Sequence, residues 1–181
     1  MNPAVAEVEI LQSLDRAVQR PRASRVLAEL ADEVTALLTK NSRAQLAWRP
    51  VGLGIYDGLP EGIASSWVFV LRAGCSSGAE RHPNSIQRVK SHRGSADLRT
   101  WSGDRWVSHK LHSERQSPIE RRWLSIPINT WHRPIMGNQN WVVVSFHTVP
   151  DDKLIEERPA DSEHPDQGPV VAQLYAGREA R

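Results

Sequence analysis

Apolar positions along the chain follow two different periods, and the change falls near Trp48. Before it, Val8, Leu11, Leu14 and Val18 recur every three or four residues, which predicts a helix that Pro21 stops. Asn2 followed by Pro3 is its start signal. After Ser24 the same period returns at Val26, Leu27, Leu30, Val34, Leu37 and Leu38, with Asn41 as the stop. From Trp48 onward short runs rich in Val, Ile and Trp alternate with Gly, Pro and Asn. They predict strands over Leu46–Tyr56, Ser66–Arg72, Ile86–Ser91, Asp97–Trp101, Arg105–Leu111, Arg122–Ile126 and Trp141–Thr148. Many short strands at regular spacing point to an all-β sandwich or barrel preceded by a helical pair.

Composition narrows this picture. A chain of 181 residues with 39% hydrophobic and 24% charged residues is one domain with a core. No apolar run is long enough to span a bilayer, and no export signal is seen, so a cytoplasmic location without membrane contact is expected. The one cysteine, Cys75, excludes a disulfide framework and reads as an inert buried thiol. The net charge of +2 is unevenly spread: residues 1–47 balance, 48–150 are basic and 151–181 are acidic. Three segments follow: helices over 1–45, a β domain over 46–150 and an acidic, partly mobile tail over 151–181. The tail could lie over the basic middle by attraction. The basic residues form no aromatic-interleaved stripe, which argues against nucleic acid as a partner.

One stretch carries chemistry. Gly74, Glu80, His82, Gln87 and Gly94 are separated by five, one, four and six residues, and Pro127, Asn129 and His132 follow further on. These spacings resemble the two motifs of the cupin superfamily. In that alignment Glu80 takes the first histidine position and Gln87 the glutamate position. Asn129 stands where the second motif has glycine, Arg121 replaces its leading glycine, and Met136 replaces its closing asparagine. The resemblance implies a double-stranded β-helix, the jelly-roll barrel, over roughly residues 48–149, with Glu80, His82, Gln87 and His132 in the metal-site positions. Residues two apart on a strand face the same side, so Glu80 and His82 can both point inward and a distant His132 can join them. Two histidines and one carboxylate suit Fe(II) with open coordination positions. Nickel, manganese and zinc are the other candidates.

The resemblance then implies a metal-dependent cupin enzyme, an Fe(II) dioxygenase-like oxidoreductase acting on a small molecule, for which the basic strands are compatible with an anion. Arg88 and His147 are the candidate substrate-binding residues. The alternative is a non-catalytic ligand-binding or regulatory cupin, with or without metal. Glu80 and Gln87 would then hydrogen-bond within a metal-free pocket. Cupin barrels commonly pair, so a homodimer is the expected assembly.

Overall fold

The structure is a computed structural model that describes residues 3–175; the predicted cap Asn2 lies outside these residues, as do the last six of the tail. Two helices open the chain, α1 (Pro3–Gln19) and α2 (Pro21–Lys40). Pro21 does end the first helix, but it also begins the second three residues before the predicted start. At the first helical position its missing N–H has no partner to lose, so it initiates rather than interrupts. Then come β1 (Leu46–Pro50), β2 (Ser65–Leu71), β3 (Gln87–Arg93), β4 (Ser95–Trp101), β5 (Trp106–His112), the single turn α3 (Ile119–Arg122), β6 (Trp123–Ile126), β7 (His132–Met136), β8 (Trp141–His147), β9 (Ile155–Pro159) and β10 (Val170–Leu174).

Every strand pairing is antiparallel. A five-stranded sheet in the order β1-β2-β8-β3-β6 faces a three-stranded sheet, β5-β4-β7, and β9 pairs with β10. This is a jelly-roll sandwich carrying two helices on its outer face, the mostly-β fold expected from the sequence. The large sheet is covered on both sides, so β2 and β8 are buried along their whole length. Alternation decides which side each residue serves. Val68, Val70, Val142, Val144 and Phe146 pack against Leu14, Leu27, Val34 and Leu38 of the helices. Trp67, Phe69, Leu71, Trp141 and Val143 face the interior with Leu98, Leu111 and Met136. The helices thus bury their apolar face on their own sheet, which removes the helical surface as an argument for a homodimer.

An ionic cluster fixes α1. Asp15 accepts from Arg122 Nη1 at 2.5 Å and Trp123 Nε1 at 2.8 Å, and Lys90 Nζ lies 3.9 Å away. Burial would raise the Asp15 carboxyl, but Arg122 and Trp123 outweigh it and hold it below its ordinary value.

Between β3 and β4 the chain turns at Gly94, where φ is +77° and a Cβ would meet the Asn140 carbonyl oxygen at 2.9 Å. Gly94→Ala is therefore expected to cost on the order of 2–3 kcal/mol and to lower Tm by several degrees. An unchanged Tm in a thermal melt would show that the turn is not so constrained. The pairing of β3 with β8 skips one residue at His92, a bulge next to this turn. Burial, reinforced by Lys90 and Arg93, pushes the His92 imidazole down to about 4. The ring titrates near 6.5 when unfolded, so the unfolded chain binds more protons between pH 6.5 and 4. Its neutral form supports the fold above pH 6.5, and that support, on the order of 2–3 kcal/mol, fades as pH falls toward 4. His92→Gln should lose less stability than the native chain between pH 7 and 4.5 in urea unfolding; equal losses would mean that the ring is not buried uncharged.

Candidate metal centre

The segment from Gly74 to Ile86 forms no long strand, yet it is pinned at the point that matters. Glu80 and His132 exchange both backbone hydrogen bonds, N–H to O at 2.9 and 2.8 Å. Residues opposed in this way project side chains to the same side, and His82, two residues on, follows Glu80. Asn129, at the glycine position of the second motif, adopts φ +59° and donates its N–H to the His82 carbonyl at 3.1 Å. Asparagine is the non-glycine residue best suited to that left-handed conformation. One ligand atom from each of Glu80, His82 and His132 falls within 4.8 Å of the others, and among the described residues no second such cluster is found.

Both imidazoles are oriented by the backbone. His82 Nδ1 lies 2.9 Å from the Ile155 carbonyl and His132 Nδ1 lies 3.1 Å from the Thr130 carbonyl. A carbonyl only accepts, so Nδ1 carries the proton in each neutral ring and Nε2 presents a lone pair, the arrangement of metal-bound histidines. His132 Nε2 is buried without a hydrogen-bond partner and stands 3.5 Å from Glu80 Oε1. The Gln87 Oε1 atom is likewise buried and unpartnered, and Gln87 lines the same cavity as Glu80 and His132.

The second oxygen of Glu80 is taken. Arg158 Nη2 donates to Glu80 Oε2 at 2.6 Å, while Arg158 Nε donates to Glu156 Oε1 at 2.5 Å. Glu156 is fully buried. Burial alone would raise the Glu80 carboxyl, but the Arg158 guanidinium, with His132 and His82, holds it well below the usual carboxylate range. The centre therefore presents a charged carboxylate, with Oε1 turned toward the His132 ring and Oε2 held by Arg158. Two imidazole nitrogens and one carboxylate oxygen are a donor set that would fit a divalent metal, with Arg158 occupying the second oxygen of Glu80.

His147 is also brought here. Its ring is 5.0 Å from that of His82, perpendicular to it, and opposite Gln87 across the β3–β8 ladder. Burial, then the neighbouring His82 and His132, push it well below the ordinary histidine range, against the pull of Glu80, so it is a neutral group. Arg88 is not brought here. On β3 it alternates with Gln87 and so points to the helical side, where Nε and Nη2 grip Glu7 at 2.7 and 3.0 Å. It anchors α1, and the substrate role expected of it is corrected on that ground.

The sequence reading missed Glu156, Arg158 and Tyr175, all from the segment taken as a tail. The Tyr175 ring is buried against Trp48, Trp67 and Phe69 and lies 6.1 Å from His82. Asp166 accepts from Trp131 Nε1 and Arg133 grips Glu163, which fastens the strap to the small sheet. The available signal was the opposite charge of the tail and the middle. No helix among the described residues is long and apolar enough to cross a membrane.

The sequence matches no known family profile and no curated protein. Among solved structures it is similar to oxalate oxidase in complex with the substrate analogue glycolate (14% identity, TM-score 0.46, 60% of this chain and 53% of that one). It is also similar to Lactobacillus farciminis oxalate decarboxylase in a formate complex (13%, 0.45, 59% and 29%) and to pumpkin seed globulin (16%, 0.47, 63% and 28%). These are cupin-fold proteins, and the chain spans about half of the first and under a third of the other two. At these values the likeness carries nothing about activity, which rests on the site itself.

Proposed function

We propose that the protein is a metal-dependent enzyme that holds one divalent cation through Glu80 Oε1, His82 Nε2 and His132 Nε2, with Gln87 as a fourth, weaker oxygen donor. The observation that supports this best is the pair of histidines whose Nδ1 atoms are tied to backbone carbonyls beside a charged carboxylate. Two histidines and one carboxylate favour Fe(II), and a metal held by them would supply Lewis-acid and redox chemistry. The reaction proposed is accordingly dioxygenase-like oxidation of a small molecule. Arg158 keeps Glu80 ionised and oriented, His147 contributes an uncharged ring at the same end of the cavity, and the apolar walls limit water.

The test is oxygen uptake by protein reconstituted anaerobically with Fe(II), screened against small acids and ketones. Substrate-dependent uptake that disappears in Glu80→Gln, with oxygen from 18O2 found in the product, supports the dioxygenase-like reading. Metal binding without uptake under any substrate favours the second reading, a ligand-binding cupin. The observation on that side is the Arg158–Glu80 ion pair, which satisfies half of the carboxylate without any metal.

A further inference from the structure

The cavity at the candidate metal centre has two unlike ends. On the large sheet the inward positions of β8 run from His147 through Ser145 and Val143 to Trp141, facing Ser65, Trp67, Phe69 and Leu71 on β2. On the small sheet they run from His132 and Thr100 to Pro134 and Leu98. Each step of two residues covers roughly 6–7 Å. Polar groups therefore occupy one end, and within two steps the walls become wholly hydrocarbon and aromatic. Ser77, Glu80, Gln87, His132 and the Tyr175 phenol are the polar lining, with Tyr175 acting on Arg158 at the polar end; Phe69, Leu71, Val89, Leu98, Trp141 and Val143 make most of the remainder. The cavity volume is about 50 Å³, room for a handful of heavy atoms. Glu80 is the one charged residue in the lining, and Arg158 beside it is already shared by two carboxylates.

We infer that the ligand is amphipathic: a single chelating oxygen head group at the Glu80–His132 end and a short apolar body lying toward Leu71 and Trp141. A small dianion finds no second cation at the far end, and a sugar finds no hydrogen-bond partners there. The head-group half rests on the proposed metal; the apolar half rests on the walls alone.

Co(II)-loaded protein titrated with alkylhydroxamic acids, from acetohydroxamic to hexanohydroxamic acid, tests this through the Co(II) visible spectrum. Each added methylene should tighten binding about fourfold until the far wall is reached, and Leu71→Ala should extend the rise to longer chains. Affinity that does not change with chain length overturns the inference and leaves the metal reading intact. If Co(II) does not bind, the metal reading fails. The metal-free protein is then titrated with 1-alkanols from ethanol to hexanol by tryptophan fluorescence. The same rise per methylene supports the apolar body, and a flat series overturns it.

Discussion

Replacing Arg158 by methionine is expected to destabilise the protein by about 3–5 kcal/mol at neutral pH and to make its stability depend on divalent cations. Arg158 joins two carboxylates, Glu156 with no exposure and Glu80 with its side chain 15% exposed. Removing the guanidinium takes one ion pair and hydrogen bond from each of these carboxylates, and the desolvation of the charged Glu80 is then less well offset. Methionine keeps most of the packing volume, so the loss reports charge more than cavity. A cation bound to Glu80 would neutralise part of that charge. Mn(II) should therefore raise the urea midpoint more in Arg158→Met than in the native chain, and Glu156→Gln in the same background should recover part of the loss. A variant as stable as the native chain, with no response to Mn(II), would show that Glu80 and Glu156 are not both ionised here.

His132→Ala is expected to weaken divalent-metal binding by at least on the order of 100-fold, whereas His109→Ala should leave it within a few-fold. In the proposed centre His132 would supply one of the three ligand atoms, and removing a group that merely orients a ligand already costs 10–100-fold. His109, by contrast, is engaged with Thr100 at 2.8 Å on the small sheet and stands outside the cluster. Competitive titration against a metal-sensitive dye measures both. Equal affinities in the two variants would remove His132 from the site.

Much of this was legible in the chain. The period of three to four before residue 40 and the apolar runs of β2 and β8 come directly from residue type, because a sheet covered on both faces needs no polar alternation. The grouping of Glu80, His82 and His132 was legible because motif spacing is local, and the structure brings one ligand-type atom from each within 4.8 Å of the others. Arg88 was misread because inward and outward positions of a strand differ by a single residue of register. β7, whose short run His132–Met136 holds a proline, was not predicted as a strand. Glu156, Arg158 and Tyr175 stayed hidden because their segment lacks periodicity. What places them is tertiary: the Ile155 carbonyl on His82, Glu157 paired with Arg81, and Asp166 held by Trp131.

Elemental analysis of tag-free protein decides whether Glu80, His82 and His132 hold a metal ion. Native protein and the His82→Ala/His132→Ala variant would be compared after anaerobic reconstitution with Fe(II), with circular dichroism confirming that both are folded. Close to one metal ion per chain is expected in the native protein and almost none in the variant. Negligible metal in both, or equal metal in both, would contradict the metal centre.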